Sequence, residues 1–307
     1  MSLRLRFATL MQEVAEQDEL LVVLVGDISH GILRPYADMF PSRYYNVGIC
    51  EPSIVNVAAG LSHVGLRPVV HTIAPFLVER SFEQLKLDFG YQERSVNLVS
   101  VGGAFDYSQL GCSHHSYADA ALIGQIPGSR VFLPSSIHEL NRLFWEAYQR
   151  PGINYFRLTE HPHEQELSGW TGRVGDGVKM REGDDATIAV VGARLTEALH
   201  AASELSAVGL SAEVLYFPTL KPFDEELLRT SVTKTKCLVV VEELSERDGL
   251  YSRCIESCVG LGGLRARSLS VSEFIHDYGT YEELCVVAEL DARSIFGAVK
   301  EMVYAGR

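Results

Sequence analysis

Short apolar runs of strand length recur through the first half of the chain, at Leu20–Val25, Pro68–Ile73, Val96–Val101, Val131–Leu133 and Ile153–Leu158. Between them, apolar residues return at helical spacing. Ile54, Val57, Ala58, Leu61 and Gly65 form one such set, Phe82, Leu85 and Phe89 a second, and Ile137, Leu140, Phe144 and Ala147 a third. Continuously apolar strands alternating with amphipathic helices predict a parallel sheet covered on both faces. From about Glu160 to Asp185 the pattern lapses. His161-Pro-His-Glu-Gln-Glu is followed by glycines at 169, 172, 175, 177 and 183, which reads as a linker with room for a short hairpin. Alternation then resumes, with strands predicted at Thr187–Val191, Ala212–Tyr216, Cys237–Val241 and Leu264–Leu269. Helices are predicted around Leu195–Val208, Asp224–Ser231, Leu250–Val259 and Ala292–Val303. The pattern predicts two α/β domains, over 1–165 and 185–307, joined by a linker at 166–184.

Composition narrows the function classes. The 40 acidic residues against 27 basic ones give a net charge of −13. That balance speaks against a broad nucleic-acid face and against a polybasic membrane anchor, while leaving room for a local basic pocket. No apolar run approaches the roughly 18 residues of a membrane span, and Met1 to Arg6 is not followed by the apolar stretch of a leader, so a cytoplasmic protein is expected. Six cysteines at 50, 112, 237, 254, 258 and 285 form neither a metal-ligand spacing nor a disulfide framework, which suits reduced thiols. No metal ligand set is expected.

Chemistry concentrates at the junctions. In Tyr45-Asn-Val-Gly-Ile-Cys-Glu-Pro-Ser-Ile-Val, an extended apolar run ends at Glu51 and a helix begins at once, with Pro52 suited to the first helical position. Glu51 is therefore either a carboxylate set among apolar neighbours or an exposed first-turn acid that complements the helix dipole. Gly111-Cys-Ser-His-His places two histidines ahead of a helix. One could move protons near neutral pH, or both could be loop residues bonded to backbone. Arg157 interrupts an apolar strand near its carboxyl end, where open α/β sheets bind ligands; the alternative is an ion pair with Glu160 or another acid. Phe76 stands at another strand-to-helix junction, able to stack on a flat ring or to fill core. Two lures are set aside. Gly175-Asp-Gly has no asparagine after Asn154 to complete a magnesium and diphosphate motif, and the glycines at 260, 262 and 263 have the wrong spacing for a dinucleotide loop.

Taken together, Asp27-Ile-Ser, Phe40-Pro-Ser-Arg-Tyr-Tyr-Asn-Val-Gly-Ile-Cys-Glu, Ala58-Ala-Gly-Leu, Arg80-Ser-Phe-Glu-Gln and Gly111-Cys-Ser-His-His resemble the C-terminal half of transketolase and its relatives, including 1-deoxyxylulose-5-phosphate synthase. Ile126-Pro-Gly, Leu133-Pro-Ser, Phe156-Arg, Lys221-Pro-Phe-Asp, Val241-Glu-Glu and Gly279-Thr-Tyr-Glu-Glu-Leu continue the match in family order. The resemblance implies two doubly wound α/β domains: one that binds the pyrimidine of thiamine diphosphate, and a transketolase C-terminal domain. It implies the small subunit of a split enzyme, with the cofactor shared across the seam with a large subunit that holds Mg2+ and the diphosphate. Two large and two small chains, and self-association of this chain about a two-fold axis, follow from the same likeness.

The resemblance also assigns roles. Glu51 matches the acid that bonds the aminopyrimidine, which calls for a dry site. Phe76 matches the aromatic that stacks on that ring. Asp27 and Ile28 match the loop beside the thiazolium. His114 matches a substrate-facing histidine, and Arg157 an arginine that grips the anionic end of a sugar phosphate. Departures lie mainly on the substrate side. Leu110 stands where the family has an aspartate. His30 and Gly31 stand where it has a phosphate-binding serine, leaving His30 as the residue facing substrate there. An aromatic near Ile73 and a histidine within Val101–Tyr107 are missing. The implied activity is transfer of a two-carbon ketol or acyl-anion unit from a ketose phosphate or 2-oxo acid to an aldehyde-type acceptor, with altered acceptor choice. The alternatives are the β subunit of a 2-oxo acid dehydrogenase first component, and an interaction subunit without catalysis.

Overall fold

The apolar runs become the strands of two sheets in the computed structural model, which describes residues 1–306. The first half contains α1 (Leu3–Gln17), β1 (Leu21–Val25), α2 (His30–Met39), β2 (Tyr44–Asn46), α3 (Glu51–His63), β3 (Arg67–Ile73), α4 (Phe82–Gln84), β4 (Val96–Val101), α5 (Asp119–Gln125), β5 (Arg130–Phe132), α6 (Ile137–Ala147) and β6 (Ile153–Arg157). The second contains β7 (Val178–Arg181), β8 (Ala186–Val190), α7 (Leu195–Ala207), β9 (Ala212–Tyr216), β10 (Thr219–Lys221), α8 (Glu225–Thr235), β11 (Cys237–Ser245), α9 (Leu250–Ser257), β12 (Arg265–Val271), α10 (Tyr281–Val287) and α11 (Ala292–Tyr304). Every residue of β1, β4 and β6 is buried, as a parallel sheet covered by helices requires.

The first sheet has seven strands in the order β10-β5-β6-β4-β3-β1-β2. All pairs are parallel except β10 with β5. From β1 the chain turns one way to β2 and the other way to β3. That reversal of direction opens a crevice at the carboxyl ends of β1 and β3, where ligands bind in open α/β sheets. The second sheet runs β12-β11-β8-β9-β7, with β7 antiparallel.

Several expectations need correction. The sequence pattern does not predict α1 or α2. α1 buries Leu3, Phe7, Leu10, Met11 and Val14 on one face, and Ser2 caps it by accepting from the Leu5 amide at 3.2 Å. The extended run predicted up to Glu51 stops at Asn46, and Glu51 is already helical. Ile49 is exposed, so it does not help bury Glu51. The helix predicted through Phe82, Leu85 and Phe89 is α-helical only over Phe82–Gln84 and continues as π turns over Leu85–Tyr91, and a further π turn at Pro75–Glu79 precedes it. No hairpin forms in the linker. β7, inside it, pairs with β9 instead.

The two halves are joined by more than the linker. β10 lies in the second half yet extends the first sheet, and Lys221 Nζ donates to the Gly124 carbonyl at 2.7 Å and the Ile126 carbonyl at 3.0 Å. Glu139, at the start of α6, accepts from the Ser135 amide at 2.9 Å, the Ser136 hydroxyl at 2.8 Å and the Tyr216 hydroxyl of β9 at 2.8 Å. Its Oε1 also lies 2.9 Å from His163 Nε2.

Candidate active site

Asp27, Glu51, Phe76 and His114 follow β1, β2, β3 and β4, and Arg157 ends β6, at the carboxyl edge of the first sheet. This edge carries the exposed ends of the parallel strands, so loops there can vary without disturbing the core. Glu51 is 1% exposed, at the start of a helix on which Ile54 and Val55 are also buried. One carboxylate oxygen accepts from the Thr72 hydroxyl at 3.5 Å, and the other from Arg80 Nη1 at 2.7 Å. The expectation of a dry carboxyl is met at this position, and the exposed first-turn reading is not.

Phe76 sits in the π turn after β3. The Arg80 guanidinium lies over its ring, 4.2 Å from the centroid. π turns are frequent at functional sites, and this one sets Phe76 and Arg80 side by side. His114 meets the same ring edge-on at a centroid distance of 5.1 Å, and its Nδ1 is 3.0 Å from the Ser113 hydroxyl. The contact is held from two sides. Ser116 donates to Glu79 in the π turn at 3.0 Å, and Tyr107 packs edge-on to His114. Gly102, at φ +72°, leaves the space that Tyr107 needs, since a Cβ there would strike the tyrosine ring.

The Asp27 loop starts beside this niche. A Cβ on Gly26 would touch Ile54 and Thr72, both next to Glu51. Asp27 and Ser29 have φ of 53° and 57°, a conformation disfavoured for side-chain-bearing residues. Asn46 compensates by accepting from the Asp27 amide at 3.0 Å and donating to its carboxylate at 3.2 Å. Ser29 Oγ lies 2.8 Å from His71 Nε2 and accepts from Arg4 at 3.0 Å. Arginine only donates, and the Val99 carbonyl 2.8 Å from His71 Nδ1 only accepts, so Ser29 donates to Nε2 and the imidazole is the Nδ1–H tautomer. Burial holds the His71 pKa down at about 4. Ile28 packs partly buried on the core. His30 is largely exposed, 3.8 Å from Asp27.

Arg157 ends β6. It is buried and pairs with Asp119 Oδ1 at 3.2 Å. The other Asp119 oxygen accepts from the Tyr155 hydroxyl at 2.5 Å. An ion pair, one of the two readings of Arg157, is present. Its partner is Asp119, whereas Glu160 pairs with Arg4 at 3.2 Å. Leu110, in the family's aspartate position, is exposed.

Asp106 stands in the segment that departs from the family. Thr159 donates to its Oδ1 at 3.1 Å, while Oδ2 is sealed from water without a partner. Burial and the nearby Glu243 carboxylate push its pKa up to about 8. The folded chain therefore holds this proton more tightly than the unfolded one. Its contribution to stability is fully present below about pH 4 and is lost as pH rises towards 8. Asp106→Asn is expected to gain on the wild type by roughly 3–5 kcal/mol between pH 5 and pH 8.5, read from denaturant unfolding at both. An equal difference at the two pH values would contradict the assignment.

Arg80, Tyr107 and Asp106 were not singled out from sequence. Arg80 had one signal: it lies four residues after Phe76, the spacing at which helical side chains meet.

Comparison with known proteins gives a consistent picture. Residues 1–163 match the family model described as transketolase, pyrimidine binding domain, and residues 175–295 match transketolase, C-terminal domain. A 6-deoxy-6-sulfo-D-fructose transketolase subunit from a Clostridium strain is 31% identical, covering 98% of this chain and 94% of its own length. An apulose-4-phosphate transketolase subunit from Phocaeicola vulgatus is 30% identical over 83% of this chain and 82% of its own. Among solved structures, a split gene transketolase described as an inactive beta4 tetramer superposes with a TM-score of 0.86 at 29% identity, covering 98% of both chains.

Proposed function

The chain belongs to the transketolase family, and from that premise we propose that it is the small subunit of a split, thiamine-diphosphate-dependent transferase. It would move a two-carbon ketol unit from a ketose phosphate or related donor to an aldehyde-type acceptor. The observation that carries this reading is the niche itself: a carboxyl 1% exposed beside an aromatic face, with a histidine on the rim of that ring. These residues fit an aminopyrimidine. A buried acid can hold a proton at a ring nitrogen without competition from water, and Phe76 offers a flat apolar face. When bound, thiamine diphosphate supplies a thiazolium carbon that becomes nucleophilic once deprotonated. Glu51 would hold the proton at the pyrimidine N1′, Asp27 and Ile28 would line the thiazolium side, and His114 would exchange a proton with a donor hydroxyl. Arg157, oriented by Asp119, and His30 would grip the far anionic end. The diphosphate and Mg2+ would be held by a large subunit carrying the family's other domain.

The relatives reported above favour this reading over a 2-oxo acid dehydrogenase component. They also suggest that the chain alone self-associates without activity, as the description of the solved relative says of that protein. The test is reconstitution. This chain, a large subunit, or both are incubated with thiamine diphosphate and Mg2+ and a panel of ketose donors ending in phosphate or sulfonate. Two-carbon transfer is expected only when both chains and the cofactor are present. Undiminished turnover without this chain, or without the cofactor, would remove the proposal.

A further inference from the structure

Among the described residues Glu51 has one close polar partner, and that partner is 44% exposed. Arg80 Nη1 donates to it at 2.7 Å, against 3.5 Å for Thr72. The same guanidinium lies 4.2 Å from the centre of the Phe76 ring. A guanidinium is flat, delocalised and edged with N–H donors. It therefore resembles a protonated aminopyrimidine in the two properties that Glu51 and Phe76 recognise, an N–H aimed at the carboxylate and a plane laid on the aromatic face.

We propose that Arg80 is a built-in stand-in for the cofactor ring: in the subunit as it stands its guanidinium takes both contacts, and it must swing out before a ring can enter. This rests on the reading of Glu51 and Phe76 as the seat of that ring. The asymmetry of burial supports it. The Glu51 side chain is 1% exposed and that of Arg80 is 44% exposed, so the guanidinium can withdraw without opening the core. The device has a physical purpose. A carboxylate left unpaired in an apolar niche is costly, so a subunit made apart from its cofactor needs a temporary partner there. A half-exposed ion pair and one cation–π contact are weak enough to be displaced. Arg80 then acts as a latch that keeps the niche formed and charged until the ring arrives.

The experiment is a calorimetric titration of the full chain with thiamine, which carries the ring but not the diphosphate, on the wild type, Arg80→Gln, Arg80→Lys and Glu51→Gln. Removing the competitor is expected to tighten binding in Arg80→Gln by about threefold to tenfold. Arg80→Lys, which keeps the charge but not the plane, should fall between, and Glu51→Gln should lose binding. If Glu51→Gln loses binding while Arg80→Gln binds equally or more weakly, Arg80 supports the bound ring instead of competing with it; the latch is then overturned and the seat stands. If Glu51→Gln binds as well as the wild type, or no variant binds at millimolar thiamine, the seat fails and the latch with it.

Discussion

Glu51→Gln is expected to lower the turnover of the reconstituted enzyme by about 10²- to 10⁴-fold, the range associated with loss of a positioned proton-transfer group. The side chain keeps its shape, so its fit in the buried start of α3 survives. What changes is the ability to hold a proton at a ring nitrogen, because a neutral amide neither gives nor takes one at working pH. Stability should move little. The ion pair lost has one partner 44% exposed, and such pairs contribute on the order of 0.2–1 kcal/mol. Removing a buried charge offsets part of even that. The two readouts therefore separate: a large fall in kcat with a thermal midpoint nearly unchanged. Turnover within about threefold of wild type, well short of the loss expected for a proton-transfer group, would show that this acid does not serve the chemistry. A collapsed midpoint would instead make Glu51 a structural residue.

How much of this was legible in sequence depends on the range of the interactions. β1, β3, β4 and β6 could be read because strands buried on both faces are rich in apolar residues over a short run, a local signal. α1 was missed because Arg4, Arg6 and Glu13 interrupt its apolar face in sequence. In three dimensions they leave that face, Arg6 for Glu13 and Arg4 for Glu160. α2 carries Gly31 and Pro35, which argue against a helix locally but are tolerated in a short element that buries only Leu33 and Tyr36. At the site, Glu51, Phe76 and His114 were legible because each sits in a short contiguous motif. The partner of Arg157 was not, because Asp119 lies 38 residues away and only the folded sheet brings the two together. The role of Arg80 was hidden for the same reason, since its carboxylate is supplied by a different junction of the sheet.

The largest stability effect is expected at Glu139, away from the niche. Its carboxylate is fully buried and ties three elements: the turn before α6 through Ser135 and Ser136, the segment after β6 through His163, and β9 of the second sheet through Tyr216. Burial and this carboxylate raise the Tyr216 pKa well above the ordinary phenol value, so its hydroxyl remains a donor. Glu139→Ala would leave the Ser135 amide and the Tyr216 hydroxyl buried without their acceptor, and the His163 ring with only the longer 3.4 Å contact to Tyr216. Each such group costs about 1–3 kcal/mol, and losing one member of a buried network typically costs about 3–5 kcal/mol. The same change should loosen the seam between the sheets and speed proteolytic cleavage in the irregular stretch between β6 and β7. Glu139→Gln, which can still accept from one donor, should lose roughly half as much. None of the Glu139 partners touches Glu51, Phe76 or His114, so turnover per folded molecule should hold. Denaturant unfolding, limited proteolysis and active-site-normalised kcat test the three parts separately. An alanine variant as stable as the wild type would mean that the seam is carried by β10 pairing with β5 and by the Lys221 contacts instead.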